Sequence, residues 1–277
     1  MQNLSLGDRQ KTFYENITRT YLPRRTFTLF RIDGKAFHTY CRGLAKPFDV
    51  ALMHDMDAAA IALCEQISGA VWGYVQSDEI SILVADFNEL TTQAWLDNEL
   101  RKIVSISASI ATMNFNKARW ARGITRDALF DSRAWTIPSH TEVINYFIFR
   151  QQDCIRNSIA SCAQSLYSHN ELHKKNTVLM QEMIAAKGEE LRTMMVANQS
   201  LPVELHDKPD LAWKDLPLGM RNGRFITKEY YDVDPDKVKP NKKNPDQPYP
   251  QRARWVSKGA SEFHAEFDDF MDLLPKY

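Results

Sequence analysis

Two short acidic motifs in this chain could do chemistry together. Asp33-Gly34 closes the apolar run TFTLFRI, and Gln76-Ser77-Asp78-Glu79 separates two further apolar runs. Carboxylates gathered at one place repel each other unless something positive lies between them. Hard oxygen donors beside a phosphate-bearing substrate suit Mg²⁺ better than zinc, and paired magnesium ions serve nucleotidyl transfer. Gly34 would let the backbone approach closely enough for its carbonyl to join the coordination, and Glu79 adds a carboxylate beside the pair. Either motif alone is also what an ordinary turn looks like. The chemistry therefore depends on the elements that position them.

Hydrophobic periodicity supplies those elements. Residues 26–32 read as a first strand ending at the Asp33-Gly34 turn. After a loop with Gly43 and Pro47, Asp49 is placed to cap a helix to about residue 67, with Met53, Met56, Ala60, Cys64 and Ile67 on one face. Residues 70–75 and 80–85 read as a hairpin with Ser77, Asp78 and Glu79 at its polar tip. A second amphipathic helix is expected over about 96–115 and a fourth strand over 128–137. Pro138-Ser139 then leads into a long helix over about 141–167. The order β-α-β-β-α-β predicts an α+β fold of ferredoxin-like kind, an antiparallel sheet with its helices on one face. Strands one and two are then parallel, with strand three between them. The end of strand one and the hairpin tip share a sheet edge, with strands about 4.8 Å apart, so Asp33 and Asp78 converge.

The remainder reads differently. Residues 1–167 form the expected catalytic domain, and 168–277 an extension with a polar helical stretch to about 197, a possible strand at 224–231, a proline-rich loop over 232–250 and a return strand at 252–256. Lys plus Arg and Asp plus Glu balance at 35 each, so only local clusters bear on a polyanionic partner. Lys117, Arg119, Arg122 and Arg126 form one such cluster around Trp120, and Lys237, Lys239, Lys242, Lys243, Arg252, Arg254 and Lys258 form another. Cys41, Cys64, Cys154 and Cys162 make no CxxC pair and read as reduced structural thiols. No apolar run approaches the roughly 20 residues of a membrane span, and residues 1–11 are too polar for a secretory signal, so the expectation is a cytoplasmic protein.

Several motifs resemble the tRNA-histidine guanylyltransferase family, and most closely its bacterial and archaeal guanylyltransferase-like branch. They are Phe30-Arg31-Ile32-Asp33-Gly34-Lys35-Ala36-Phe37-His38, Lys46-Pro47-Phe48-Asp49, Gln76-Ser77-Asp78-Glu79, Phe130-Asp131-Ser132-Arg133, Phe149-Arg150-Gln151-Gln152-Asp153 and Ser168-His169-Asn170-Glu171-Leu172-His173. The resemblance spans about residues 20–230. It implies a polymerase-type palm that adds nucleotides in the 3′-to-5′ direction to the 5′ end of tRNA. ATP or GTP would activate a 5′-monophosphate, and the 3′-hydroxyl of an incoming nucleotide would attack it. By resemblance, Asp33, the Gly34 carbonyl and Asp78 bind two Mg²⁺ ions, with Glu79 in support. The resemblance further implies that Asp33, Gly34, Lys35, Ala36, Phe37, His38, Lys46, Asp49, Ser77, Asp78 and Asn157 would meet the nucleotide and that the assembly would be a homotetramer.

Enzymes dedicated to histidine tRNA carry His-Ile-Asn-Asn where this chain has Ile155-Arg156-Asn157-Ser158, of which Asn157 alone matches. The substitution resembles the branch that repairs truncated tRNA 5′ ends. Arg119, Arg122, Arg150 and Arg156 are candidate tRNA contacts, although Arg150 and Asp153 at i and i+3 also suit a plain ion pair, and Arg31 a buried one. His169 and His173 have metal-compatible spacing without a third ligand. Two alternatives use the same fold: a non-catalytic RNA-binding module that stacks bases on its sheet, for which the RNP1 pattern is lacking, and a palm-type cyclase or forward polymerase.

Overall fold

A computed structural model describes residues 4–232 and 252–276. Its core is one six-stranded sheet in the order β4-β1-β3-β2-β5-β6, in which all neighbours run antiparallel. The strands are β1 (Phe27–Gly34), β2 (Ala70–Gln76), β3 (Glu79–Ala85), β4 (Phe130–Ile137), β5 (Arg224–Tyr231) and β6 (Arg252–Gly259). β3 lies between β1 and β2, as the β-α-β-β-α-β pattern requires.

Around the sheet stand α1 (Leu6–Gln10), α2 (Phe37–Tyr40), α3 (Val50–Gln66), α4 (Leu100–Ala121), α5 (His140–Leu166), α6 (His169–Leu172), α7 (Thr177–Ala186), α8 (Gly188–Ala197), α9 (Leu218–Arg221) and α10 (Phe267–Asp272). Local chemistry explains the starts of the long helices. Asp49 accepts from the Leu52 amide at 2.8 Å, and Ser139 accepts from the Glu142 amide at 3.2 Å. α4 begins later than periodicity alone suggests, because Leu96, Asp97 and Asn98 are all left-handed, with φ of 52°, 56° and 57°.

β1, β2 and β3 are nearly continuous apolar runs because both faces of the sheet are covered at its centre. Phe30, Ile32, Ile80 and Ile82 meet α3 and α4 on one face. Phe27, Leu29, Trp72 and Tyr74 meet Val143 and Phe147 of α5, with Phe263 and Phe270, on the other. The two helices inside the β-α-β-β-α-β unit thus share a face, and the long helix that follows closes the opposite one. A third apolar cluster joins α5 to α7, α8 and the Leu211–Trp213 region.

The C-terminal part extends the same sheet. β5 pairs with β2 at Gly73, Tyr74 and Val75, and Ile226 enters the α3–α4 core. Asp57 of α3 accepts from Arg224 Nε at 2.5 Å and from Ser257 Oγ at 2.8 Å, which ties both added strands to the palm. Except for Asp232, the proline-rich loop lies outside the described residues, as do Lys237, Lys239, Lys242 and Lys243. No helix among the described residues is long and apolar enough to cross a membrane.

Candidate functional site

At the end of β1, Asp33 stands opposite Glu79 of β3 and Asp131 of β4 in the strand register. The Gly34 amide donates to the Asp78 carbonyl at 3.1 Å, which fastens the strand end to the hairpin tip. That tip turns at Ser77, left-handed at φ 48°, whose hydroxyl donates to Asp78 Oδ1 at 3.0 Å. Gly34 is needed for a steric reason: a Cβ there would run into the Phe37 ring. Ala36, also left-handed at φ 55°, then swings the chain into α2.

Burial holds the Asp78 carboxyl above the ordinary carboxylate range, against the Ser77 hydrogen bond and with the Asp33 charge adding to the rise. A carboxylate in that condition gains from a cation. Among the described residues no three His, Cys, Asp or Glu side chains gather into a metal-holding group. A cation here would therefore have Asp33, Asp78 and backbone carbonyl oxygen from the protein. This sparse all-oxygen set fits Mg²⁺, which retains waters and takes substrate phosphate oxygens.

Beside the tip opens a cavity of about 660 Å³, large enough for a nucleotide. His38, Lys46, Asp49, Ser77, Asp78 and Asn157 all line it. Lys46 is exposed and its carbonyl accepts from Asn198 Nδ2 at 2.8 Å, which pins the loop from which its ammonium reaches out. The Asp49 carboxylate is engaged in capping, and its second oxygen accepts from the Ala45 amide at 3.3 Å. Lys35 is exposed, with its amide bonded to the Leu129 carbonyl at 2.8 Å. Phe37 is different: its ring is buried and stacked on Tyr40 at 4.9 Å, so only its backbone is available to a ligand.

Glu79 sits beside the carboxylate pair but is buried and already claimed. Arg31 Nε lies 2.8 Å from one of its oxygens and Arg150 Nε 2.9 Å from the other. Burial raises its pKa while the two guanidiniums lower it. Arg150 also holds Asp153 at 2.5 Å, and Arg156 meets the other Asp153 oxygen at 2.8 Å. Arg150 therefore belongs to the scaffold behind the site, and Arg156 remains exposed at its rim. The Arg119 expectation needs correction. Arg119 is 1% exposed, and its guanidinium is committed to Asp55 at 3.0 Å, so it offers nothing to tRNA phosphates. Arg122 shares Asp55 at 2.8 Å from a half-exposed position.

Sequence reasoning missed part of the cavity wall. Gln76 and Arg224 both line it, and Gln76 Oε1 and Arg224 Nη2 are buried polar atoms without a hydrogen-bond partner among the described residues. Arg224 reaches the site from the strand that pairs with β2, a juxtaposition with no local signature.

Residues 8–138 match the family model described as tRNAHis guanylyltransferase. A bacterial tRNA(His) guanylyltransferase (Thg1)-like protein solved in complex with ATP is similar over 97% of this chain and 98% of its own, at TM-score 0.75 and 36% identity. A bacterial protein of the same description in complex with GTP matches at TM-score 0.73 and 35% identity, over 98% and 99% of the two chains. The tRNA(His) guanylyltransferase of Schizosaccharomyces pombe is 31% identical over 152 residues, covering 53% of this chain and 55% of that protein. The tRNA(His) guanylyltransferase 2 of Arabidopsis thaliana is 27% identical over 178 residues, covering 57% of this chain and 32% of that protein. The chain thus spans about half or less of the curated relatives it matches, whereas it matches the bacterial structures end to end. With a shared sequence core and a shared fold over the whole chain, the protein belongs to the tRNA(His) guanylyltransferase (Thg1) family of nucleotidyltransferases.

Proposed function

We propose that this protein adds nucleotides in the 3′-to-5′ direction to the 5′ end of tRNA, with repair of truncated ends favoured over a single untemplated guanosine. The observation that carries the reading is the bond that ties the end of β1 to the hairpin tip, which sets Asp33 close enough to act on Asp78, while Asp78 itself lines a nucleotide-sized cavity with Lys46, His38 and Asn157. The bacterial relatives bound to ATP and GTP support nucleoside triphosphates as its occupants.

Asp33, Asp78 and the Gly34 carbonyl would hold Mg²⁺, which when bound would acidify an attacking hydroxyl and neutralise phosphoryl charge. The chain's own groups do the rest. Lys46 sets a positive charge against the triphosphate, and His38 and Ser77 offer polar contacts at the cavity mouth. The Arg31–Glu79–Arg150 cluster fixes the strand ends so that the carboxylates keep their spacing. Residues 1–167 form the catalytic palm and 168–277 the extension that closes the cavity and the sheet. Beyond the sheet, β5 and β6 continue as a ribbon bearing exposed Tyr230, Tyr231, Arg252 and Arg254, a basic and aromatic surface that suits RNA. Assembly as a homotetramer would enlarge the tRNA-binding surface of this small palm. The RNA-module alternative loses its platform, since both sheet faces are packed against apolar clusters.

Incubation with Mg²⁺, labelled nucleoside triphosphates and a tRNA lacking its first nucleotide tests the reading. Extension that disappears with Asp78→Ala is expected, and stronger extension of truncated tRNA than of intact histidine tRNA favours repair. Binding of tRNA without extension by the unaltered protein would overturn it.

A further inference from the structure

Among the described residues the apolar side chains of the amino-terminal arm stay uncovered. Residues 6–18 are helical throughout, as α1, a wide turn at Lys11–Glu15 and a tight one at Asn16–Thr18, yet every residue from 4 to 21 is exposed. So short a helix is marginal in water without packing. The arm nonetheless carries Leu6, Phe13, Tyr14 and Ile17, which are 52–69% exposed. Its root is fixed at the start of α4, where the Leu100 amide donates to the Thr20 carbonyl at 2.8 Å and Arg101 Nη1 to Thr18 Oγ1 at 3.0 Å.

α4 bears an apolar stripe that is equally uncovered. Ile106, Met113 and Trp120 follow one another at intervals of seven residues on the side facing away from the sheet, and are 43–50% exposed. Seven-residue spacing keeps them in one line along the helix, the pattern of a helix-to-helix seam. At 1.5 Å per residue the stripe is about 21 Å long and the arm from Leu6 to Ile17 about 17 Å. The arm begins beside this stripe, yet among the described residues it leaves the stripe half exposed.

We propose that the arm of one copy lies along the α4 stripe of a second copy, and reciprocally, in a two-fold arm exchange. The proposal rests on the assembly part of the function proposed above and names the surface that does it. Two-fold exchange covers both unpartnered faces in both copies with one contact type. Each of these seven side chains leaves roughly 100 Å² open, judged against whole aromatic side chains. Arm and stripe together then offer about 700 Å² per copy, close to the 800 Å² or so per partner of a standard interface. On the arm charge favours protein over RNA, because Asp8, Arg9, Lys11, Glu15 and Arg19 nearly cancel, and the arm's Asp8 and Glu15 suit the basic residues Lys117 and Arg122 that flank the stripe.

Sedimentation equilibrium of the full chain at micromolar concentration tests this with three variants: F13E/I17E in the arm, M113E/W120E in the stripe, and the F13C/M113C pair. All are surface changes, and circular dichroism verifies the fold of each. Expected are at least tenfold weaker self-association for either glutamate variant, and an intermolecular disulfide in F13C/M113C that neither F13C nor M113C alone forms. Crosslinking of F13C alone would indicate arm-to-arm contact and overturn the exchange. Assembly that ignores both glutamate variants overturns it while leaving the homotetramer reading intact, and a monomeric unaltered protein overturns both. Extension of tRNA, measured separately on the same samples, reports on the catalytic reading alone.

Discussion

Replacing Arg119 by methionine tests whether the basic cluster of α4 is scaffold or tRNA surface. Asp55 is 1% exposed and takes Arg119 Nη1 at 3.0 Å on one oxygen and Arg122 Nε at 2.8 Å on the other. Arg119 Nε also donates to the Tyr40 hydroxyl at 3.3 Å. Removing one member of a buried pair strands the other charge and costs about 3–5 kcal/mol. Arg122 remains as a half-exposed partner, so the lower end applies, about 3 kcal/mol. For a chain of this size that corresponds to a Tm lower by about 6–12 °C. Urea unfolding followed by tryptophan fluorescence, with calorimetry for Tm, reads the loss directly. The double variant Asp55→Leu with Arg119→Met should recover most of it, because an apolar pair needs no compensating charge. Stability within about 0.5 kcal/mol of the unaltered protein, accompanied by weakened tRNA binding, would refute the buried-pair account and return Arg119 to the surface.

Asp78→Asn should stabilise the metal-free protein while abolishing transfer. Burial, with the Asp33 charge, raises the Asp78 pKa, so its ionised form is less favoured folded than unfolded. The penalty is absent below the ordinary carboxylate range near pH 3–4 and grows as pH rises through it to the raised folded value. Thermal melts should thus show a gain for the variant at about pH 7.5 that fades by about pH 3.5, and a gain of equal size at both would refute this. Gly34→Ala should lose both stability and nucleotide binding in melts and filter assays, since its Cβ meets the Phe37 ring at the strand end that sets the carboxylates. Burial pushes the thiols of Cys41 and Cys154 up to about 11 and that of Cys162 to about 12. Alkylation at about pH 8 should be slow in the folded protein and fast in urea, with Cys41 at the cavity wall reacting first as pH rises and slowed by bound nucleotide.

The palm was legible because its strands are dense in β-branched and aromatic residues and its turns carry Gly and Asp at the required places. The convergence of Asp33 and Asp78 followed from topology, since a β-α-β-β-α-β chain has one way to place strand three. Burial of charge was harder to see. Arg119 reads as surface in any local window, and its partner Asp55 lies on another helix 64 residues away. The sequence does suit Arg31 to a buried ion pair and Arg150 to Asp153, and both pairs form; what a linear reading misses is that Glu79, placed among the turn acids, takes both guanidiniums. The start of α4 was hidden for the opposite reason: Leu96, Asp97 and Asn98 are ordinary residues in an unusual backbone conformation, and periodicity does not register φ.

The pairing of β5 with β2 has a consequence for how the protein is made. Until residues 224–226 emerge, β2 has a bare flank, its pairing with β5 along Gly73, Tyr74 and Val75 unmade and Trp72 lacking the Phe225 and Phe270 rings that pack on it. Bare flanks of apolar strands recruit other chains. On the ribosome this exposure lasts for roughly 150 residues of synthesis, about 7–30 s at about 5–20 residues per second. A chain stopped at residue 167 would retain both acidic motifs yet leave that flank of β2 unpaired, and it should precipitate rather than work.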